Sequence, residues 1–286
     1  MKQMRQIKAG KVIAGIAGAI SILIISQLAA QVLANLFAVI HIPLFLCNAI
    51  AGILYAVFAY FLLRLYAEKI LGMQMPELAI PQIKIKVKWL IIAFILPLSI
   101  TGIYLLLPGK LQRGIIDLPE TAAVICAGVF FIGMAAGSVE EIVFRGFIMN
   151  LVDKKFGRKA AVLIPSILFG LVHIIGMDFS ILSCLQVLVA GTFVGIMFSF
   201  ITLEQHSVWN SAVVHGVWNI ITSGGILFIG ENMDEYSVFS YVLQTDSFAV
   251  TGGEFGIESS AIAISGYVIV TLIAYMGIRR NVRSEI

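Results

Sequence analysis

Long apolar windows separated by polar connections dominate the hydropathy pattern of this chain. About 20 helical residues cross about 30 Å of hydrocarbon, so a window of that length predicts a membrane-spanning helix. We predict an all-α bundle of eight such helices, over residues 12–40, 44–63, 89–107, 122–152, 160–175, 181–203, 207–229 and 261–278. The fifth window is short for a span.

Gly191 and Gly195 form a GxxxG pair in the sixth window, which predicts the close approach of another helix.

Basic residues are concentrated in alternate connections, and this pattern predicts the orientation of the bundle. Connections rich in Lys and Arg face the cytoplasm. The basic groups are Lys2, Arg5, Lys8 and Lys11; Arg64, Lys69, Lys84, Lys86 and Lys88; Lys154, Lys155, Arg158 and Lys159; and Arg279, Arg280 and Arg283. The odd connections contain only Lys110 and Arg113, and connection 230–260 has six acids and no base. We therefore expect both termini in the cytoplasm.

Composition supports the same class of protein. The 286 residues are 60% hydrophobic and 12% charged, which excludes an ordinary soluble globular protein and indicates a multi-pass membrane protein. No internal repeat or soluble domain is evident, so residues 1–286 are predicted to form one membrane domain. Membrane lipid is an expected partner, and nucleic acid is not.

Two glutamates and an arginine interrupt the fourth apolar window. A charged side chain at the centre of a bilayer costs roughly 2.5–3.5 kcal/mol on insertion scales. Glu141 and Arg145 are four residues apart with the glutamate first, which favours an ion pair on a helix. We interpret this pair as structural. Glu140 then has no partner in its own helix and is rotated about 100° from Glu141.

Two histidines lie inside other predicted spans. Phe169 and His173 are four residues apart, as are His215 and Asn219, so each pair shares a helix face. Counting about 1.5 Å per residue from the predicted cytoplasmic ends brings Glu140, His173 and His215 to similar depths. We therefore predict that these polar side chains meet near the middle of the membrane. Phe169 is expected to pack beside His173.

This set of side chains is suited to hydrolysis. A carboxylate beside an imidazole can hold and deprotonate water. A second imidazole and a carboxamide can donate hydrogen bonds to a developing oxyanion. These groups predict a water-activating hydrolase for an acyl substrate, with no covalent nucleophile. Ser138 lies about 200° from Glu140 around the helix, which disfavours a serine nucleophile.

Three alternatives remain from the residues alone. Glu140, His173 and His215 could bind zinc, although the HExxH pattern that usually brings such ligands together is absent. Intramembrane Glu and His chains also carry protons in transporters, although we find no inverted repeat of the transporter type. The third alternative is a non-catalytic scaffold or immunity protein. Without zinc, no cofactor is expected.

Three motifs resemble those of the CPBP family, the CAAX proteases and bacteriocin-processing enzymes also called the Abi family of intramembrane glutamic endopeptidases. The family motifs are EExxxR, FxxxH and HxxxN or HxxxB. This chain contains them in the same order, as Glu140-Glu141-Ile-Val-Phe-Arg145, Phe169-Gly-Leu-Val-His173 and His215-Gly-Val-Trp-Asn219. The resemblance covers residues 138–219.

The resemblance implies an eight-helix bundle around a cavity open to the cytoplasm. It implies that Glu140, helped by His173, activates the attacking water, that His215 and Asn219 stabilise the oxyanion, and that Glu141 and Arg145 support the site. Family members cleave prenylated CAAX tails or process small peptides such as bacteriocin leaders and pheromones. A peptide or a prenylated protein tail is therefore the expected substrate, and the cell membrane of a bacterium or an archaeon is the expected location.

Overall fold

Eight helices of 15 or more residues follow one another along the part of the chain that the structure describes. The computed structural model describes residues 7–177 and 180–284. The helices are α1 Ala9–Val39, α2 Leu44–Leu71, α3 Val87–Leu106, α4 Leu118–Phe156, α5 Arg158–Val172, α6 Ile181–Gln205, α7 Val208–Thr222 and α8 Ala261–Ser284. Short helical turns lie at Met75–Leu78, Phe248–Thr251, Gly253–Phe255 and Ile257–Ser259.

Among the described residues, six of these helices are long and apolar enough to cross a membrane, namely α1, α2, α3, α4, α6 and α8. Helices α5 and α7 have 15 residues each, or about 22 Å, which is less than a hydrocarbon core of about 30 Å. A helical multi-pass membrane protein is therefore supported, whereas the count of eight spans is not confirmed. Lys2 and Arg5, from the predicted N-terminal basic group, lie outside the described residues.

The seventh predicted span is wrong at its C-terminal end. Helix α7 ends at Thr222, seven residues before the predicted end at residue 229. Gly225 follows with a φ of 74°, a left-handed conformation that favours glycine and ends a helix. Residues Leu227–Gly230 then form a strand, β2. The chain reads Thr222-Ser223-Gly224-Gly225 at the turn, but the apolar residues 226–229 after it kept the window hydrophobic. Hydropathy does not distinguish such a strand from the end of a helix.

A small sheet, which the sequence did not predict, joins two connections at one end of the bundle. It contains β1 Gly109–Arg113, β2 and β3 Phe239–Leu243, in the order β1-β3-β2. Strand β3 pairs antiparallel with β1 and parallel with β2. Both connections lie at the end of the bundle opposite the main basic groups. The sheet thus fixes connection 230–260, which contains six acids and no base.

Helix α4 is irregular near its centre. Wider π-helical turns occupy Ala127–Ala136 and Ile142–Ile148, and they flank the regular segment Gly137–Glu141 that carries the two glutamates. Every residue of Ile142–Ile148 is buried. Local π-helical turns occur frequently at functional sites, where they change the direction of neighbouring side chains.

Small residues allow helices α5 and α6 to pack closely. A Cβ atom added to Gly191 would lie 2.5 Å from the Cα of Gly170, and one added to Gly195 would lie 2.8 Å from the Cα of Ser166. These distances leave no room for a side chain on α6. The close approach predicted from the GxxxG pair is therefore confirmed.

Candidate active site

A buried ion pair lies at the centre of the polar residues. Arg145 Nη1 is 2.9 Å from Glu141 Oε1, and both side chains are fully buried. Arg145 Nη2 also donates a hydrogen bond to the Gly195 carbonyl, at 3.2 Å. The guanidinium lies 4.5 Å from the ring centre of Phe169 and 5.1 Å from that of Phe198. These partners offset the cost of burying the arginine, as the sequence pattern indicated.

His215 is bound between the two glutamates. Its Nδ1 is 3.1 Å from Glu141 Oε1, and its Nε2 is 3.8 Å from Glu140 Oε2. The ring stacks on Phe198, with centroids 4.6 Å apart. Because an ionised carboxylate only accepts hydrogen bonds, Nδ1 carries a proton. Glu141 therefore orients His215 so that Nε2 faces Glu140, a contact that the sequence analysis did not identify.

Glu140 lines an internal cavity of about 430 Å³. Its side chain is 21% exposed, and its buried Oε2 has no hydrogen-bond partner among the described residues. Ser138 lines a different groove, an apolar one between α2, α4 and α7. The two side chains therefore leave α4 in different directions, as their helical spacing predicted, and the carboxylate is the group that reaches the cavity.

His173 lines the same cavity and directly follows the last residue of α5. Its Nδ1 is 2.7 Å from the carbonyl of Phe169. A carbonyl only accepts, so Nδ1 donates and Nε2 of the neutral ring is left as a proton acceptor. The ring of Phe169 lies 4.5 Å from that of His173 and 5.8 Å from that of His215. Phe169 thus packs beside both imidazoles.

Asn219 completes the predicted set in this cavity. Its Nδ2 donates to the carbonyl of Ile132 on α4, at 3.0 Å. A carboxamide nitrogen carries two hydrogens, so this bond uses one donor and leaves a second. The structure thus brings Glu140, His173, His215 and Asn219 to the wall of one cavity. What each residue does there stays a prediction.

A second group of polar side chains in the cavity was missed by the sequence analysis. Glu258 accepts hydrogen bonds from Trp218 Nε1, at 3.3 Å, and from the hydroxyl of Ser223. Its backbone carbonyl accepts a further bond from the Tyr267 hydroxyl, at 2.9 Å. Trp218 lies three residues after His215 and so shares its helix face, which was an available signal. Glu258 lies in a connection, where periodicity carries no signal.

The cavity extends from Glu140 toward the acidic end of the bundle. Along α7 its lining runs from His215 to Ser223, and Phe255 and Glu258 contribute from connection 230–260. The segment Ile142–Ile148, which follows the two glutamates on α4, is wholly buried and contributes no residue to the cavity lining. The resemblance implied a cavity open to the cytoplasm, whereas the basic connections, which predict the cytoplasmic side, lie at the other end.

The predicted zinc ligands do not form a metal site in this structure. Within residues 7–177 and 180–284, no three His, Cys, Asp or Glu side chains are grouped so that they could hold a metal ion. Glu140 and His215 approach each other, but His173 does not complete a set of three. We therefore derive no step of the reaction through a metal.

The fold and this site define an integral, multi-pass membrane protein with a carboxylate and two imidazoles around an internal cavity. Residues 121–221 match the family model for type II CAAX prenyl endopeptidase Rce1-like proteins. The matched segment runs from α4 to α7 and contains all three motifs, so the resemblance to the CPBP family is confirmed. Searches of the curated proteins and of the solved structures find no match to this chain. The family implies a membrane peptidase of the CAAX protease type.

Proposed function

We propose that this protein is an intramembrane endopeptidase that hydrolyses a peptide bond with a water molecule activated by Glu140 and His173. The observation that carries the proposal is the position of Glu140, whose Oε2 lacks a hydrogen-bond partner among the described residues and which shares a cavity with His173, His215 and Asn219. The family match supports the reaction class. The substrates are prenylated CAAX tails or small membrane-associated peptides.

Glu140 acts as the general base. Its carboxylate removes a proton from water while the water oxygen attacks the carbonyl carbon of the peptide bond. The protonated Glu140 then gives that proton to the leaving amine. His173 assists through Nε2, because its Nδ1 is held by the Phe169 carbonyl and the tautomer is thereby set.

His215 and Asn219 stabilise the oxyanion that forms when water attacks. His215 already donates through Nδ1 to Glu141, so only its imidazolium form can also donate through Nε2 to the oxyanion. Asn219 contributes its second N–H. Donors aimed at a developing oxyanion in a site that excludes water are each worth about 10²–10³ in kcat.

The substitution Glu140→Gln tests the proposal. It keeps the size of the side chain and removes the base, so cleavage is expected to fall by about 10²–10⁴-fold. Peptidomics of membranes that contain either form would identify the peptides affected, and purified protein would give the rate on them. Glu235→Gln, at an exposed acid, is the control. Retained cleavage by Glu140→Gln would refute the assignment of Glu140 as the general base. If the unmodified protein instead carries a solute into proteoliposomes and Glu140→Gln does not, a transporter is favoured.

Metal dependence is a separate test. We expect cleavage to need no metal, because the described acidic and imidazole side chains form no group of three ligands. Activity of the purified protein should survive a chelator, and elemental analysis should find no stoichiometric zinc. Loss of activity on chelation and its recovery with Zn²⁺ would show that the zinc alternative is correct.

A further inference from the structure

The cavity contains two carboxylates and no cation of the Lys or Arg type among its described lining residues. Glu140 lies at one end and Glu258 lies on the opposite wall, in the turn Ile257–Ser259. None of the ion pairs formed by the described residues includes Glu258. The proposed mechanism uses Glu140 and leaves Glu258 without a role.

Hydrogen bonds hold Glu258 in place but do not neutralise it. Its oxygens accept from the indole of Trp218 and the hydroxyl of Ser223, both of which are neutral groups. The side chain is half-buried and its bond with Ser223 is exposed, so Glu258 lies where the cavity meets solvent. A cleft with one sign of charge and low-dielectric walls concentrates ligands of the opposite charge. The ligand group that Glu258 favours is therefore cationic.

Neighbouring hydrogen bonds fix the turn that carries Glu258. Gln186 Nε2 on α6 donates to the carbonyls of Phe248 and Ser259, at 3.1 and 3.0 Å. Tyr267 on α8 donates to the carbonyl of Glu258. A turn whose backbone is fixed in this way preorganises the carboxylate that it carries for binding a ligand.

The spacing of the two carboxylates predicts how far the scissile peptide bond lies from the cationic group of the substrate. His215 contacts Glu140 and Ser223 contacts Glu258. His215 on α7 and Ser223, the residue directly after α7, are eight residues apart, or about 12 Å along the helix axis. An extended peptide advances about 3.3 Å per residue. About three or four residues therefore separate the peptide bond at Glu140 from the group at Glu258.

We propose that Glu258 is a specificity-determining residue that binds a Lys or Arg side chain three or four residues from the scissile bond of a peptide substrate. The proposal rests on the peptidase function and narrows its substrate class. Trp218 and Ser223 act as positioning residues for the carboxylate.

Peptides that carry one lysine test the distance. A set of otherwise neutral ten-residue quenched fluorescent peptides would place lysine at each position in turn, with the uncharged analogue norleucine as the reference. We expect kcat/KM to be about tenfold higher than the reference when lysine is three or four residues from the cleaved bond. In Glu258→Gln, the ratio of kcat/KM between the lysine peptide and the norleucine reference is expected to fall to about one, chiefly because KM for the lysine peptide rises. Glu254 is an exposed acid outside the cavity lining, so Glu254→Gln should keep the tenfold ratio.

A charge reversal and a binding measurement make the outcome decisive. Glu258→Lys should prefer glutamate over lysine at the same position of the peptide. In the double variant Glu140→Gln, Phe255→Cys, the lysine peptide should protect the new thiol from reaction with maleimide, and the norleucine peptide should not. If cleavage requires Glu140 but does not depend on the position of the lysine or on Glu258, the specificity role of Glu258 is wrong and the peptidase function stands. Protection by the lysine peptide without any cleavage by the unmodified protein would instead overturn the peptidase function.

Discussion

At the residue scale, Glu141 takes part both in the buried ion pair and in the orientation of His215. One of its oxygens pairs with Arg145 and also accepts from His215, so a single carboxylate neutralises the buried guanidinium and orients the imidazole. The family motif EExxxR thus contains two glutamates with different surroundings. Glu141 is fully buried among its partners, whereas Glu140 reaches the cavity.

Removing the arginine should destabilise the protein strongly. Arg145→Met leaves Glu141 without its cation, and breaking a buried ion pair by removing one partner costs about 3–5 kcal/mol. The matched control is Arg64→Met, which breaks an exposed pair with Glu68 at the same four-residue spacing and should change the free energy of unfolding little. The free energy of unfolding in detergent measures both. Equal, small effects would show that the buried pair is not required for stability.

Asn219 should affect the rate more than the fold. Asn219→Ala removes the proposed oxyanion donor, so kcat should fall by about 10²–10³-fold with little change in KM. Asn48→Ala is a matched control, because Asn48 also donates to a carbonyl of α4, that of Ala123, but does not line the cavity. The measurement is steady-state cleavage at equal amounts of folded protein. An equal loss of kcat in both variants would indicate a purely structural role for Asn219.

At the element scale, the contact between α4 and α7 assembles the site. A Cβ atom on Gly137 would lie 2.8 Å from the Cα of Gly216, so the two backbones are in direct contact. Gly137 precedes Glu140 by three residues, and Gly216 directly follows His215. This close approach allows a carboxylate of one helix to reach an imidazole of the other.

Widening this contact should separate the reacting groups. Gly137→Val forces α4 away from α7, and a shift of about 1 Å between reacting groups costs about 10²-fold in rate. Gly102→Val on α3 is the control, because a Cβ atom there meets nothing within 4 Å. Cleavage rates of the two variants, compared at equal folded protein, give the effect. Full activity in Gly137→Val would show that the helix contact does not limit the site.

At the scale of the whole molecule, charge divides the bundle into two ends. The Lys- and Arg-rich connections lie at one end, and the sheet and the acidic connection lie at the other. The cavity extends toward the acidic end. By the positive-inside rule, we expect this side of the cavity to face away from the cytoplasm.

Cysteine labelling in intact cells tests this orientation. In a background without Cys47, Cys126 and Cys184, which are free thiols, Glu254→Cys should react with a membrane-impermeant maleimide from outside. Lys159→Cys, at the exposed basic end, should react only after the membrane is opened. The reverse pattern would place the cavity on the cytoplasmic side, as the family resemblance implies.

Local sequence patterns determined the membrane class, the helix positions and the partners within each helix. Hydropathy located the long helices of the described residues, apart from the end of α7, because burial in lipid or in a bundle requires long apolar runs. Four-residue spacing identified the Glu141–Arg145 pair and the face shared by His215 and Asn219, because an α-helix repeats every 3.6 residues. These signals depend only on residues that are close together in the chain.

Tertiary structure alone decided the contacts between segments. The bond from His215 to Glu141, the position of Glu258 in the cavity and the pairing of β1 with β3 join residues that lie far apart in the chain. No periodicity encodes such contacts, because they depend on how closely helices pack, as at Gly137 and Gly216, and on where a helix ends, as at Thr222. The direction of the cavity follows from the same packing.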